Sequence, residues 1–196
     1  IGDDEVVWSE NALTIGAGAI QILPAKGTSI ATVAAAPVSI WGFTLTIATV
    51  ATPILITVNA NGSATQITQA GTQTVVAGAG ILTTSAKLTI FRDTPILIID
   101  PTKGYFSWDG ATLTVVDATR LGSSIAVFEG RVWIALTRTI TFTAPNTSTN
   151  FTAGDGAGST IVTDEAFPGT ITAIHSALEQ LWIIGQGAIE AIANVQ

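Results

Sequence analysis

The chain of 196 residues has no cysteine, no methionine, one histidine, and seven lysines and arginines in all. Without cysteine there is no disulfide framework and no thiolate to act as nucleophile or metal ligand, which fits a reducing compartment. With His175 as the only histidine, a Ser-His-Asp site or an imidazole metal cluster would have to be built around that one position. It stands between Ile174 and Ser176 in an apolar strand pattern with no nucleophile motif beside it, and reads as a strand residue. Charged residues make up only 11% of the chain, and none of Asp, Glu, Lys, Arg or His occurs between Gly27 and Ala86. A surface so poor in charge points to burial against another subunit. The missing methionine and the start at Ile1 point to a processed beginning or a piece of a longer polypeptide, and no apolar segment led by Arg or Lys resembles a signal peptide.

The shortage of basic side chains also constrains partners. A net charge of −7 and a pI near 4.4 disfavour nucleic-acid binding, which needs Lys and Arg to neutralise phosphates. They do not disfavour a wall that DNA slides past, because like charge there prevents sticking. Hydrophobic residues are 47% of the chain and mean hydropathy is +0.54. A spanning helix needs about 20 predominantly apolar residues. Thr, Ser, Asn, Gln, Gly or Pro interrupts every candidate window, including Ile47 to Ile56, so no membrane span is expected. An outer-membrane barrel is a lesser reading, since five Trp, one Tyr and seven Phe offer little for its aromatic girdles.

What the sequence does contain is strand signal. Short runs rich in Val, Ile and Thr are punctuated by Gly, Asn and Asp at hairpin spacing. The helix-compatible segment Ala173 to Leu181 lies where an internal repeat predicts a strand. That repeat superposes Val132-Trp133-Ile134 on Leu181-Trp182-Ile183 and Ile140 on Ile189, with one offset of 49 (182 − 133; 189 − 140). Thr52-Pro53-Ile54-Leu55-Ile56 recurs as Thr94-Pro95-Ile96-Leu97-Ile98, offset 42 (94 − 52), each copy after a Leu-Thr-Ile segment. Trp8-Ser9-Glu10-Asn11-Ala12-Leu13-Thr14 is echoed by Trp108-Asp109-Gly110-Ala111-Thr112-Leu113-Thr114. Asp109-Gly110 and Asn61-Gly62 read as hairpin turns. Periods of about 40–50 residues are those of four-stranded propeller blades. The expected fold is therefore all-β, with β-propeller-like repeats of antiparallel sheets forming a partial or small propeller. Residues 1–104 form a Thr/Ala-rich region with degenerate repeats, and residues 105–196 form the better-marked blades.

Candidate chemistry is thin. Asp93, Asp100, Asp109 and Asp117 recur at strand ends, but their spacing matches no dense calcium loop, and turn capping is the better reading. Asp155-Gly156-Ala157-Gly158-Ser159 has neither a following Lys nor a helix, so it reads as a surface loop rather than a phosphate cradle. Asp3-Asp4-Glu5 reads as a solvated terminus. Asn61, Asn146 and Asn150 lie in acceptor sequons, which mean little without a secretory route. Arg120, Arg131 and Arg138 could touch phosphate, although Arg131 in a Gly-Arg turn is expected to pair with a neighbouring subunit's carboxylate. Trp133 and Trp182, flanked by branched apolar residues, are expected to pack between blades. No catalytic residue, cofactor or metal site is assigned.

The segment from Ile125 to Gln196 carries Phe128-Glu129-Gly130-Arg131, then Asp164-Glu165-Ala166-Phe167-Pro168. Leu181-Trp182-Ile183-Ile184-Gly185 follows, with Ile189-Glu190 and Asn194 at the end. In this it resembles the tail-hub and nozzle proteins of short-tailed bacteriophages, also called packaged-DNA stabilisation proteins. Phe106-Ser107-Trp108-Asp109-Gly110 extends the match upstream, while Gly169-Thr170 replaces the acidic residue the family carries after the Pro. The resemblance implies a structural virion protein and no enzyme. It would be assembled in the host cytoplasm into a homo-oligomeric ring that joins portal, adaptor and other tail proteins. Such a ring retains packaged DNA and lines part of its exit channel, and double-stranded DNA passes without sequence-specific binding. Subunit or blade packing then falls to Trp108, Arg131, Trp133, Trp182 and Glu190, and acidic residues on channel or outer faces would limit adhesion of DNA. The rival readings are a glycan-binding β-propeller, an adhesin or lectin, and a propeller hydrolase built on His175.

Overall fold

The computed structural model describes residues 12–16, 19–22, 31–47, 49–162, 167 and 169–193, with backbone alone for the first two segments. Trp8, Asp3 to Glu5, Asp164 to Ala166, Pro168 and Asn194 lie outside the described residues. Contacts divide the chain into two units, Ile1–Thr32 and Val33–Gln196. In the first, β1 (Ala12–Gly16) and β2 (Ala19–Ile22) form an antiparallel pair.

In the second unit, alternation of branched and polar residues produces four sheets in succession, each an antiparallel meander in chain order. Blade 1 is β3 (Pro37–Ile47), β4 (Val50–Asn59), β5 (Ala64–Thr68) and β6 (Gln73–Ala77). Blade 2 is β7 (Lys87–Ile90), β8 (Ile96–Asp100), β9 (Gly104–Trp108) and β10 (Leu113–Asp117). Blade 3 is β11 (Ser124–Phe128), β12 (Arg131–Leu136), β13 (Thr139–Phe142) and β14 (Gly158–Ile161). Blade 4 is β15 (Ile171–Ala177), β16 (Gln180–Gly185) and β17 (Ile189–Ile192). The architecture is all-β and propeller-like, as expected. The boundary expected after residue 104 falls inside β9, because Gly104 pairs with Asp100 of the same sheet.

Neighbouring blades share a core at each joint. Leu45, Ile54 and Ile56 of blade 1 meet Leu88, Ile96, Ile98, Phe106 and Trp108 of blade 2. Leu97, Ile99 and Tyr105 on the other face of blade 2 meet Ile125, Val132 and Ile134 of blade 3. Trp133, Ala135 and Ile140, on the opposite face of blade 3, meet Ile174, Leu181 and Ile183 of blade 4. Alternation thus sends odd and even positions of one strand into two different joints. Each buried branched side chain contributes about 1.5–3 kcal/mol.

The 49-residue offset is a structural equivalence. Phe128 pairs with Arg131 and Trp133 with Phe142; 49 residues on, Ala177 pairs with Gln180 and Trp182 with Ala191. Each indole Nε1–H donates to the carbonyl five residues earlier, Trp133 to Phe128 at 3.2 Å and Trp182 to Ala177 at 3.1 Å. The 42-residue echo falls on the second strands of blades 1 and 2 but in different register: Ile54 is the fifth residue of β4 and pairs with Phe43, whereas Ile96 opens β8 and pairs with Ile90, and both are buried in the joint between the two blades. The helix-compatible stretch forms β15, its turn and the start of β16. Gly110 takes φ +102°, and a Cβ there would stand 2.9 Å from Ile47 Cδ1 of blade 1, so the turn requires glycine both for conformation and for space.

Burial predicts a contrast between the equivalent tryptophans. Trp133 is 2% exposed, whereas Trp182 is half-buried. We expect Trp133→Ala to cost about 3–5 kcal/mol and Trp182→Ala about 1–2 kcal/mol, as read by urea denaturation. Equal losses would contradict the assignment of Trp133 to a joint and Trp182 to an open face.

Candidate functional site

The first strands of all four blades face one space. Trp41 and Phe43 of β3, Lys87 to Ile90 of β7, Ser124 to Val127 of β11 and Thr172 to Ser176 of β15 line a cavity of about 820 Å³, with Ile184 of β16 beside them. The meander dictates this placement, because each blade begins at the same radius and runs outward. Ser124 Oγ accepts the backbone N–H of Ile174 at 3.0 Å and fastens β11 to β15 across the wall.

Among the described residues, Lys87 and His175 are the titratable side chains lining this cavity, and no carboxylate lines it. The carboxylates of the described residues therefore lie outside this cavity. Asp93, Asp109, Glu129, Asp155, Glu179 and Glu190 are exposed at turns and on the last strand. The reason is topological: apart from Lys87 and His175 the four inner strands carry no charged or titratable side chain, and most of these carboxylates stand at turns between strands. Sequence reading passed over Lys87, although it is the first charge after the run that ends at Ala86.

The five packing residues fall at different places. Trp108 is 1% exposed, and its indole donates to Gln66 Oε1 of β5 at 3.1 Å, a polar tie inside the joint of blades 1 and 2. Trp133 stacks on Phe142 with ring centroids 4.7 Å apart. Trp182 lies opposite His175 in the ladder. Glu190 is exposed on β17 opposite Ile183. Arg131 turns inward. Its guanidinium is nearly buried and donates from Nη1 to the carbonyls of Thr143, at 2.9 Å, and Gly156, at 2.6 Å. These bonds pin the β13–β14 connection to its own blade, a packing role inside blade 3.

That connection also reaches blade 2. Arg92 Nη2 donates to Asn146 Oδ1 at 2.8 Å, the Tyr105 hydroxyl to the Ser148 carbonyl at 2.8 Å, and the Arg120 guanidinium stacks 3.6 Å from the Phe151 ring centroid. Burial pushes the Tyr105 phenol far up despite the nearby Arg120 charge, so it remains a donor. Arg138 donates to the carbonyls of Val162 and Phe167, tying blade 3 to the start of blade 4. Asn150 and Asp155 hold each other at 2.8 Å within the Gly-rich loop, and Asn61 Oδ1 accepts from Ser63 in its hairpin.

Three of the four strand-end aspartates are turn caps. Asp109 accepts the N–H groups of Ala111 and Thr112 at 2.8 and 2.7 Å, and Asp117 accepts the N–H and hydroxyl of Thr119 at 2.9 and 2.7 Å. These bonds hold both carboxyls below the usual carboxylate range. Asp93 instead uses its backbone carbonyl, which accepts the Thr46 N–H at 3.0 Å. Asp100 is 0% exposed. Burial pushes its carboxyl up, but N–H donors from Thr83, Thr102 and Lys103 and the Thr83 hydroxyl outweigh it, and the net shift is downward. Among the described residues, no group of three or more His, Cys, Asp and Glu is placed to hold a metal ion.

No protein-family model and no curated protein matches the chain. Among solved structures it is similar to YCF48 from Cyanidioschyzon merolae, at 13% identity and a TM-score of 0.47, covering 69% of this chain and 49% of that one. It is also similar to PorZ of Porphyromonas gingivalis, described as an essential surface component of the type-IX secretion system. That match has 10% identity and a TM-score of 0.41, and covers 73% of this chain and 20% of that one. The chain thus spans about half the length of the first and a fifth of the second. Among the described residues, no helix is long and apolar enough to cross a membrane.

Asp100 sets an acid limit. A carboxyl whose folded pKa is depressed contributes stability that is present above its unfolded pKa of about 3.9 and lost as pH falls through the folded value. We expect Tm to fall steeply below pH 4. Asp100→Asn should cost about 1–3 kcal/mol at neutral pH, because an amide cannot accept from all these donors, and should flatten the acid decline. A scanning-calorimetry series from pH 7 to pH 2.5 that gave parallel curves for both proteins would contradict this.

Proposed function

We propose that the chain is a structural virion protein of a bacteriophage tail hub or nozzle, without catalytic activity. As one copy in a ring, it would connect to the portal, retain packaged DNA and form part of the exit channel. The observation that carries this reading is the family-like pattern in blades 3 and 4. Phe128 to Arg131 turns one hairpin, Leu181 to Gly185 runs along the equivalent strand of the next blade, and Ile189-Glu190 opens β17. Scarce charge supports a subunit that buries much of its surface, and an excess of carboxylates at exposed turns supports contact with DNA without adhesion.

The cavity enclosed by the four first strands is not the DNA channel in this reading. At about 820 Å³ it has the volume of a small-ligand site. A duplex whose major groove alone is about 12 Å wide does not fit. The channel is then the lumen between copies, and the blades are its wall.

A glycan-binding propeller is favoured by one observation: Trp182 is half-buried and stands beside exposed His175, a stacking surface next to a polar side chain. Specific binding on a glycan array by a protein that stays monomeric would establish that reading instead. For the leading one, mass photometry should give a discrete multiple of 20.1 kDa, and duplex DNA at physiological salt should show no retention. A strictly monomeric protein with no affinity for portal or tail proteins would sink it.

A further inference from the structure

The 49-residue equivalence between blades 3 and 4 identifies a surface whose partner is missing. In blade 3, Trp133, Ala135 and Ile140 lie on one face and are at most 2% exposed, because blade 4 covers them. Their equivalents on blade 4 are Trp182, Ile184 and Ile189. The ladder places all three on one face, since Ile184 pairs with Ile189 and lies two residues from Trp182. Trp182 and Ile184 are only half-buried and Ile189 is 67% exposed. The joint that the repeat builds three times therefore has a fourth, open half.

At the other end of the series, blade 1 presents the opposite kind of face. Its inward positions Ile54 and Ile56 enter the joint with blade 2, whereas Ile40, Leu55 and Val75 point the other way and are 62%, 38% and 68% exposed. This is the face that blades 2 to 4 use to cover the blade before them. Among the described residues neither open face bears a carboxylate, and the blade 1 segment from Pro37 to Ala77 contains no charged residue at all.

We propose that the open face of blade 4 docks on the open face of blade 1 of a second copy, so that copies join head to tail through a repeat of the joint between blades. A second copy is the occupant because this chain itself supplies the complementary face. The two faces differ, so the contact is heterologous, and such contacts close into rings when the rotation per copy permits. The inference rests on the ring reading above only in assigning the ring to this joint.

The absence of cysteine makes the test clean. Val75→Cys and Ile189→Cys alter exposed positions, and the two single variants, mixed and treated with a short bis-maleimide, should give dimers of mixed composition. Linkage only within single chains of the double variant would show that blades 1 and 4 of one chain face each other, and would overturn the proposal. Separately, Ile40→Glu and Ile189→Glu should each reduce the assembly to the 20.1 kDa chain while the circular dichroism stays unchanged. Oligomers that persist in both variants would overturn this joint and leave the ring reading standing. A wild-type chain that is monomeric at all concentrations would overturn both.

Discussion

Burial of both faces of a sheet at once is the constraint on which the structure depends. A sheet with polar residues on one side can face water there, whereas strands that are apolar on both sides must be covered twice. The strand Ile96 to Asp100, with five consecutive buried residues, is such a case: its even positions enter one joint and its odd positions the next. Once one blade requires two neighbours, the chain is committed to a series of stacked sheets. The scarcity of charge then follows, since inner and middle strands have little open face on which to carry it.

Where charge does appear, it has been fitted into this series rather than placed around a reaction centre. Asp100, Asp109 and Asp117 are bound to N–H groups at turns, the Arg131 and Arg138 guanidinium groups to carbonyls of connecting segments, and the Trp133 and Trp182 indoles to carbonyls within the hairpin, with that of Trp108 bound to a glutamine across the joint. Asp100 and Arg131 illustrate the common logic. Each is buried where an unpaired charge would be costly, and each is surrounded by enough backbone donors or acceptors to keep it there.

Much of the fold could be read from residues because repetition and alternation are local properties. The offset of 49 located equivalent hairpins, the Thr-Pro-Ile-Leu-Ile echo fell on the second strands of blades 1 and 2 though in different register, and the Asp-Gly and Asn-Gly turns fell where glycine was needed. Three things were not legible. The common cavity depends on the stacking of blades, to which no local pattern refers, so Lys87 went unnoticed. The inward turn of Arg131 depends on a long connection folding back over its own sheet, and a Gly-Arg dipeptide looks the same whether its side chain turns in or out. The boundary near residue 104 followed a change in composition, yet composition changed within a sheet and not between sheets.

Strand order has a further bearing, on how such a chain comes together. Every strand of the four blades pairs with its immediate neighbour in sequence, so loop closure within a blade is inexpensive and each meander can form while the following residues are still being made. A blade completed alone nevertheless has one apolar face waiting for the next. During synthesis Trp133 stays uncovered until some forty to fifty further residues have emerged and folded. Maturation therefore travels along the chain from first blade to last, and the growing end is always the sticky one.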